Sequence, residues 1–567
     1  MDVVIERRAV SESTLDARLH PVLRRAYAAR GVRDSSELSL TLDRLVPVGS
    51  LESIDAAVGL ILEHRARRIL VIGDFDADGA TSTALIVRAL RSWGFAAVDF
   101  LVPNRFEFGY GLTPEIVGLA VERAPSLIIT VDNGISSVSG VAAARARGIQ
   151  VLITDHHLPG AELPAADVIV NPNVPGSRFA SRALAGVGVA FYVMAGVRRE
   201  LEAQGEVVSP PVSEFLDLVA LGTVADLVPL DVNNRVLVSQ GIRRIRAGRA
   251  VAGIRALLAI AGRNAASLTA ADLGFSIGPR LNAAGRLDDM SIGIRCLLSD
   301  SDSEALALAT RLDQLNVERR EIEAKMQGEA LAAVSSLGDT QGPVRHGVCL
   351  FDAAWHQGVV GLVASRIKDR IRRPVIAFAR NGDGTLRGSA RSVPGIHIRD
   401  VLDRIAARRP ELISRFGGHA MAAGLSLEEP NLDEFSAAFD AEVEALLDPS
   451  IPSNRVETDG ELANDEIALE TAQALREGGP WGQAFPEPCF DGLFAIKNAR
   501  VVGDKHLKMW VTTSDRSRAF DAIAFNFKGA DDDQELPCGD VRLVYRLDIN
   551  EYKGERRLQL LVDHVLK

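Results

Sequence analysis

Two short runs of the chain carry side chains of the types that bind divalent metal ions. The first is an acidic loop in which Asp74, Asp76 and Asp78 occupy alternate positions, and the second, residues 155–157, is an aspartate followed by two histidines. Carboxylate and imidazole ligands suit Mg²⁺ or Mn²⁺ better than the metals that thiolates select. If the fold brings the two runs together, they predict a metal-dependent phosphoesterase.

Each of these runs directly follows a short apolar segment. A separate aspartate, Asp132, also follows such a segment. The segments are residues 69–72, 127–131 and 151–154. Continuous apolar runs are typical of strands that are covered on both faces of a sheet. Strand, turn and helix patterns alternate between residues 68 and 173, which predicts a parallel sheet with crossover helices. Because loops at the carboxyl ends of parallel strands open onto one crevice, we expect the three loops to converge.

Convergence of these side chains predicts a paired-metal site, because crowded carboxylates repel one another unless cations hold them. Two ions about 3.5–4 Å apart can orient a phosphodiester, activate water and stabilise the leaving oxygen of an in-line displacement. Taken singly, each acidic loop could instead be a helix cap or a turn. The first loop is too short for an EF-hand and runs into residues 81–83, Thr-Ser-Thr, at the start of a helix, so calcium buffering is not expected.

The sequence beyond the acidic loops divides into further units. Residues 1–45 form an N-terminal segment, and residues 46–300 form the unit that carries the predicted site. Residues 302–335 contain few helix breakers and predict a connecting helix within residues 301–340. An ordinary helix of the first domain is an equally good interpretation of this stretch.

Two more domains are predicted after the helix. Residues 341–448 form a smaller α/β domain, with strands at residues 347–351 and 374–379 and a helix at residues 358–372. Short strands separated by turn residues then predict a C-terminal β-barrel such as an OB-fold within residues 454–567. The predicted barrel strands are residues 493–502, 507–513, 519–525, 541–547 and 558–562. The fold class is therefore α/β with a C-terminal barrel.

Composition limits the classes of protein that this chain can be. It has 567 residues, 47% of them hydrophobic, with neither an apolar run of about 18 residues nor an apolar N-terminal leader, so a cytoplasmic monomer without a membrane segment is expected. Its four cysteines lie far apart, which favours neither a disulfide framework nor a thiolate zinc site. A net charge of −11 argues against a general polyanion binder but permits a local basic groove.

Several motifs together resemble the DHH phosphoesterase superfamily and, within it, the bacterial single-strand-specific exonucleases. The acidic loop and the aspartate-histidine-histidine triplet carry the wider resemblance, and the narrower one rests on further motifs. These motifs lie at residues 102–105, 110–112, 131–134, 223–226, 280–286, 388–392, 417–424, 479–482 and 521–525. The resemblance extends from about residue 45 to the end. It implies a DHH domain, a DHHA1 domain at residues 341–448 and a C-terminal OB-fold.

The resemblance also implies roles for individual residues. The implied metal ligands are Asp74, Asp76, Asp78, Asp132, His156 and Asp226. Asp226 would not be found from spacing alone, since its surroundings would be interpreted as a turn that ends a helix. His157 would contact the scissile phosphate, and Asp132 would bridge the two ions. Arg280 would be catalytic, together with His157 and Asp132, and Asn282 and Arg286 would bind the substrate. Both arginines would pair with phosphoryl oxygens; a surface ion pair is an equal alternative for Arg286.

Arg105 of the first domain, together with residues of the second domain and the barrel, is implied to bind the DNA. Arg105, Ser389 and Arg391 would hold a terminal 5′ phosphate, and His419 lies in a glycine-rich turn that allows close approach to phosphate but could be purely structural. In the barrel, Lys508, Trp510 and Tyr552 are candidates to follow phosphates and stack bases. We expect about half of the barrel aromatic residues to belong to its core. For His356 we expect a capping or packing role, with a contact to the substrate as the alternative.

These expectations define a function with two alternatives. The favoured function is a 5′→3′ exonuclease that degrades single-stranded DNA to 5′-mononucleotides in DNA repair and recombination, with two Mn²⁺ or Mg²⁺ ions per active site. By resemblance, single-strand-binding protein and a RecQ-type helicase are expected partners. One alternative is a DHH phosphodiesterase of short oligonucleotides or cyclic dinucleotides. The other is a non-catalytic DNA-binding scaffold, which the full set of ligands disfavours.

Overall fold

The first domain is built on a five-stranded parallel sheet. The structure, a computed structural model, describes residues 3–104, 108, 111–339, 345–381, 384–447, 455–503, 505–527, 536–552 and 555–566, and the side chains of residues 336–339 and 552 are not described. The strands in spatial order are Ala97–Leu101, Arg68–Gly73, Leu127–Val131, Gln150–Thr154 and Val168–Val170. All four pairings are parallel, and the central strand is buried along its whole length.

Helices cover both faces of this sheet and extend the domain beyond it. Those between the strands are Ala77–Ser92, Pro114–Val121 and Val138–Arg145, with Ile54–Glu63 before them. The later helices are Gly186–Ala203, Leu216–Ala225, Val232–Arg246, Ala252–Ile260, Ala270–Asp272, Gly278–Leu287 and Ser291–Leu298, together with a π-helix at Leu273–Ile277. The helix Ala77–Ser92 is buried over most of its length, which fixes its N-terminal end, and with it the acidic loop, against the sheet.

A 38-residue helix, Asp302–Asp339, joins the first domain to the second. In its first half, Ala305, Ala309 and Leu312 are buried in the core of the first domain. In its second half, Met326 and Ala330 are buried in a core of the second domain. Both interpretations of the sequence therefore apply to the same helix, which packs as a member of the first domain and also connects the two domains.

The second domain is a five-stranded mixed sheet with helices against it. Its strands in spatial order are Arg415–Gly418, Ala422–Glu428, Thr385–Arg391, Val375–Arg380 and Val348–Phe351, and its helices are Val360–Ile371, Ile398–Arg408 and Leu432–Leu446. Only the last two strands in this order pair in parallel. The observed elements match the two predicted strands and the predicted helix to within about two residues at their ends.

The C-terminal domain contains a closed five-stranded barrel. Its strands in spatial order are Phe490–Val502, His506–Thr513, Ala519–Ala524, Glu555–Leu566 and Gly539–Tyr552, and the helix Leu469–Glu477 precedes them. The last two strands in chain order are longer than predicted because both continue outward as a hairpin, in which Tyr552 pairs with Glu555. The predicted fold class is confirmed: a parallel-sheet domain, a long helix, a smaller α/β domain and a barrel.

The N-terminal segment packs on the C-terminal domain. Its strand Val4–Arg7 pairs in parallel with Arg455–Thr458, and its helix spans Pro21–Ala28. The buried guanidinium of Arg30 forms an ion pair with Asp459 at 2.7 Å. No sequence pattern predicted this pairing of the N-terminal segment with the start of the C-terminal domain, and the domain boundaries given above stay predictions.

Among the described residues, no single helix has the length and hydropathy of a membrane span, and one bent pair, Leu42–Ser50 with Ile54–Glu63, has them only when its two helices are combined.

Candidate active site

Three loops at the carboxyl ends of neighbouring strands form the candidate active site. Asp74 follows the strand Arg68–Gly73, and Asp132 follows the next strand of the sheet. Asp132 adopts a φ of +61°, a left-handed conformation that is uncommon for a residue with a side chain. A Cβ atom on Gly186 would lie 2.7 Å from the Asp132 Cβ, so only glycine leaves room for this carboxylate.

The six predicted metal ligands lie together in the structure. Their ligand atoms form overlapping groups whose members are all within 4.8 Å of one another, namely Asp74 with Asp76 and Asp132, Asp78 with His156 and Asp226, and Asp132 with His156 and His157. His156 Nε2 lies 3.1 Å from Asp132 Oδ1 and 3.5 Å from Asp226 Oδ2. Asp226 comes from a fourth element, the end of the helix Leu216–Ala225.

The pKa values and unpaired buried atoms of the six predicted ligands indicate that the site binds cations. Burial and then the neighbouring carboxylates raise the pKa of Asp132 and of Asp226 well above the ordinary value, and the same causes raise the pKa of Asp78 to about 7. Burial lowers the pKa of His156 to about 4, which leaves its imidazole neutral and able to act as a ligand. Within the described part of the chain, the buried atoms His156 Nε2 and Asp226 Oδ2 have no hydrogen-bond partner. Divalent cations fit this donor set, because they would satisfy these atoms and neutralise the carboxylates.

Two of the acidic residues also cap helices, so the alternative interpretation of the acidic loop is partly right. Asp76 Oδ1 accepts hydrogen bonds from the backbone N–H groups of Asp78 and Gly79, both at 3.0 Å. The Asp78 carboxylate accepts hydrogen bonds from Gly186 N at 2.6 Å and Val187 N at 2.9 Å, at the start of the helix Gly186–Ala203. Capping holds these carboxylates rigidly, and it leaves oxygen lone pairs available to a metal ion.

Asp155 positions His157 and the loop around it. Its Oδ1 accepts a hydrogen bond from the backbone N–H of His156 at 2.7 Å and lies 2.8 Å from His157 Nδ1. Its Oδ2 accepts a hydrogen bond from Ile135 N at 2.9 Å. Burial lowers the pKa of His157, but the Asp155 hydrogen bond and the nearby carboxylates outweigh it, and the pKa rises to about 9. His157 is therefore an imidazolium at neutral pH, which suits a contact with a phosphate oxygen.

The helix Gly278–Leu287 supports the acidic loop from behind. Asn282 Oδ1 accepts a hydrogen bond from Ala77 N at 2.8 Å. A Cβ on Gly285 would lie 1.7 Å from the carbonyl oxygen of Phe75, so this position requires glycine for the close approach of the two backbones. The contact of Asn282 is with the loop, so the structure gives it a positioning role; its predicted contact with the substrate stays a prediction.

The two arginines of this helix contact neighbouring elements. Arg280 Nε forms an ion pair with Asp313 of the long helix at 2.8 Å, and its Nη1 donates to Ser276 O at 2.5 Å. Arg286 Nη1 donates to Gly358 O at 3.2 Å, which joins the first domain to the second. Their predicted pairing with phosphoryl oxygens stays a prediction.

The second domain brings further predicted residues to the same cleft. The His419 ring lies almost parallel to the His157 ring, with centroids 6.4 Å apart. Arg391 Nη1 donates to Ser389 Oγ at 3.0 Å, and burial lowers the Arg391 pKa. A Cβ on Gly361, at the start of the helix Val360–Ile371, would lie 2.9 Å from both side chains, so the pair faces a helix N-terminus, where anions are stabilised. Arg105, the third predicted phosphate ligand, lies outside the described residues.

The remaining predicted residues are those of the barrel and His356. In the barrel, Trp510 is 47% exposed, Lys508 Nζ lies 3.7 Å from Asp521 Oδ1, and Tyr545 is buried in the core. The side chain of Tyr552 is not among those described. His356 Nδ1 accepts a hydrogen bond from Gly358 N at 3.1 Å, a turn contact that precedes the helix Val360–Ile371, whose N-cap residue Val359 makes no side-chain cap hydrogen bond.

Sequence reasoning missed the residues that hold the ligands in place. The role of Asp155 and the small-residue requirement at Gly186 and Gly285 come only from the structure. The glycines near the starts and ends of helices were the available signal, since glycine often marks close backbone approach.

Known protein families match the three domains of the chain. The matching family models are the DHH family, N-terminal domain, at residues 68–223; the DHHA1 domain at residues 344–445; and the RecJ OB domain at residues 458–564. The single-stranded-DNA-specific exonuclease RecJ of Escherichia coli strain K12 is 52% identical over 574 aligned residues, which cover 99% of this chain and 99% of that protein.

Two crystal structures of RecJ from Thermus thermophilus are similar in fold. The structure in complex with Mn²⁺ has a TM-score of 0.79 and 31% identity, over 97% of this chain and 76% of that one. The structure in complex with Mg²⁺ has a TM-score of 0.74 and 29% identity, over 97% and 75% of the respective chains.

Proposed function

Because the chain belongs to the RecJ family of single-stranded-DNA-specific exonucleases, we propose that it digests single-stranded DNA from the 5′ end and releases 5′-mononucleotides in DNA repair and recombination. The protein is a metal-dependent exonuclease specific for single-stranded DNA, and its ions are Mn²⁺ or Mg²⁺. The observation that carries the proposal is the convergence of carboxylates and imidazoles from four elements, beside His419 of the second domain.

The proposed ligands of two ions are Asp74, Asp76, Asp78, Asp132, His156 and Asp226. When bound, the ions supply positive charge at the scissile phosphate and lower the pKa of water. Asp132 belongs to two of the ligand groups, which supports its assignment as the bridging carboxylate. The helix caps on Asp76 and Asp78 fix these carboxylates before the substrate arrives, so little reorganisation is needed during the reaction.

His157 is proposed to bind the scissile phosphate. His157 Nδ1 donates a hydrogen bond to Asp155, and because the raised pKa makes the ring an imidazolium, Nε2 also carries a proton that can be donated to a phosphoryl oxygen. The His419 ring of the second domain lies nearly parallel to the same ring, with centroids 6.4 Å apart, which supports a role for both histidines in binding one substrate phosphate.

The direction of digestion is proposed to come from the second domain. Ser389 and Arg391 offer a hydroxyl and a guanidinium beside a helix N-terminus, a combination that suits the dianionic terminal phosphate. If the 5′ phosphate is held there, the metal ions cut at a fixed distance from the chain end. The exposed Trp510 and the nearby Lys508 in the barrel are proposed to contact the strand farther from its end.

The proposed function also includes protein partners, a cellular location and an oligomeric state. Single-stranded DNA is the substrate, and single-strand-binding protein and a RecQ-type helicase are the proposed protein partners of a cytoplasmic monomer. Co-purification with each partner, together with light scattering of the isolated protein, tests this part.

The experiment that tests the function uses end-labelled oligonucleotides. We expect a 5′-labelled, 5′-phosphorylated single strand to yield labelled mononucleotide at once with Mn²⁺ or Mg²⁺, while a 3′-labelled strand shortens progressively and a blunt duplex resists digestion. Preferential cleavage of a dinucleotide over the long strand would support the small-substrate alternative instead. Binding without cleavage under all metal conditions would support the scaffold alternative.

A further inference from the structure

A cavity of about 330 Å³ lies among the helices of the first domain. Its walls come from the helix Ala77–Ser92, the residues just before the helix Leu216–Ala225, the end of the helix Val232–Arg246 and the start of the helix Ala252–Ile260. Its volume is within the range of small-molecule sites, roughly 300–1,000 Å³. We call this cavity the arginine pocket after the arginines that line it, Arg88, Arg244, Arg249 and Arg255.

The arginine pocket and the predicted metal ligands lie at opposite ends of two helices. The helix Ala77–Ser92 begins in the acidic loop, and Arg88, near its other end, lines the pocket. The helix Leu216–Ala225 starts beside the pocket and ends at the predicted metal ligand Asp226. At a rise of 1.5 Å per residue, about ten residues of helix separate the two sites by roughly 15 Å. A small ligand in the pocket would therefore not touch the metal cluster.

Three of the four arginines are held in place by neighbouring groups. Each forms an ion pair with a carboxylate, Arg88 with Asp300, Arg244 with Glu214 and Arg255 with Asp302. A guanidinium carries five N–H donors, more than the contacts of these side chains occupy, so each keeps donors for a ligand. Because the side chains are fixed beforehand, a ligand would lose less conformational entropy on binding.

The positive charges of the arginine pocket are less hydrated than the negative charges beside them. The side chains of Arg88 and Arg244 are 17% and 12% exposed, whereas those of Asp300 and Asp302 are 86% and 80% exposed. Water screens the charge of an exposed carboxylate, so its pair with an arginine contributes little free energy. An anion that enters the pocket can therefore replace these carboxylates as the partner of the guanidinium groups.

Arg249 and a helix start supply further donors to the same pocket. The Arg249 side chain is exposed and forms neither an ion pair nor a hydrogen bond with any residue that the structure describes. The N-cap residue Val251 has no side-chain cap, and its N–H donates to the buried Asp217 Oδ2 at 2.7 Å. Ala252 lines the pocket, and within the described ranges its N–H has no acceptor. A free N–H at a helix start stabilises an anion.

We propose that the arginine pocket binds a small phosphate anion, either inorganic phosphate or the phosphate group of a nucleotide. Arg249 and the Ala252 N–H would contact the phosphate, and Arg88 and Arg244 would supply further donors and charge. Phosphate has a second pKa of about 6, so it is a dianion above neutral pH, and its oxygens match the forked donors of a guanidinium. A nucleoside would pack against Pro210, which also lines the pocket. The ligand would bind while the metal site is occupied.

Amide hydrogen exchange of the full chain with Mn²⁺ bound tests the site without DNA, so the result does not depend on exonuclease activity. The three probes are inorganic phosphate, deoxyadenosine 5′-monophosphate and deoxyadenosine. We expect the two probes that carry phosphate, but not deoxyadenosine, to slow exchange at the start of the helix Ala252–Ile260, because the ligand accepts a hydrogen bond there. Tighter binding of the nucleotide than of phosphate would support a nucleotide as the ligand, and equal binding would support free phosphate.

Substitution of Arg249 shows whether the protection comes from the arginine pocket. Arg249→Ala should raise the Kd for phosphate, measured from the concentration dependence of protection, roughly 10-fold or more, as expected for a hydrogen bond between charged groups. Arg249→Lys should recover part of this loss. Arg67→Ala, which removes an exposed arginine outside the pocket, should leave the Kd unchanged. Protection confined to the acidic loops, equal protection by deoxyadenosine, or an unchanged Kd in Arg249→Ala would overturn the proposal.

Discussion

The first and second domains bury charges of opposite sign at the candidate site, namely carboxylates on the first domain and a guanidinium on the second. On the first domain, Asp78, Asp132 and Asp226 are crowded, and burial and mutual repulsion raise their pKa values. On the second domain, Arg391 is half-buried beside a helix N-terminus, and burial lowers its pKa. One side therefore needs cations and the other needs an anion. Metal ions and, under the proposed function, a terminal 5′ phosphate would supply these two charges.

The largest expected effect comes from removing Asp132, the proposed bridging carboxylate. Asp132→Ala should lower kcat by about 10³-fold or more, since a weakened metal site costs several kcal/mol of transition-state stabilisation. Binding of single-stranded DNA, measured by anisotropy, should change little. Asp217→Asn is the matched control, because Asp217 is fully buried but accepts hydrogen bonds from Leu218 N and Val251 N outside the site. An active Asp132→Ala enzyme would refute the bridging role.

A smaller loss is expected when the orientation of His157 is disturbed. Asp155→Asn should lower kcat roughly 10- to 100-fold, as is usual for residues that orient a ligand or a reacting group. Asp155 raises the His157 pKa, so its loss should also move the alkaline limb of the pH–kcat profile to lower pH, because the imidazolium then loses its proton earlier. A profile of unchanged shape, with a lower plateau only, would mean that Asp155 acts only through the fold of the loop.

Loss of Arg391, in the proposed 5′-phosphate site of the second domain, should change the preference for a 5′ phosphate more than it changes kcat. Arg391→Ala should reduce the preference for a 5′ phosphate over a 5′ hydroxyl about tenfold, the size of one charge-assisted hydrogen bond. Competition between two differently labelled strands measures this ratio. Arg380→Ala, on the neighbouring strand and paired with Glu429 at 2.6 Å, should leave the ratio unchanged. Equal loss on both substrates would place Arg391 outside the 5′-phosphate site.

The smallest expected effect is on stability. Chelation should lower the melting temperature, since Mn²⁺ at 100 times its Kd stabilises the folded state by about 2.7 kcal/mol. Differential scanning fluorimetry with and without EDTA measures this shift, and Asp132→Ala should reduce it. A shift of the same size in Asp132→Ala would mean that the stabilising ions bind elsewhere.

Sequence patterns predicted the fold class and the convergence of the acidic loops, because apolar strands and the polar residues after them are local features. They did not predict the contact of Arg30 with Asp459, which joins distant parts of the chain. Asp155 was visible in the sequence, but its role depends on the geometry of a hydrogen bond to His157.

We propose that the acidic cluster of the first domain holds two divalent ions, with Asp132 as the ligand that they share. Isothermal titration of the metal-free protein with Mn²⁺ counts the ions bound per chain and so tests this proposal directly. We predict two ions for the wild-type protein and a weakened or lost second ion for Asp132→Ala, with Asp217→Asn like the wild type. A single ion in the wild-type protein would show that the two-ion site is wrong, and unchanged binding in Asp132→Ala would show that Asp132 is not a shared ligand.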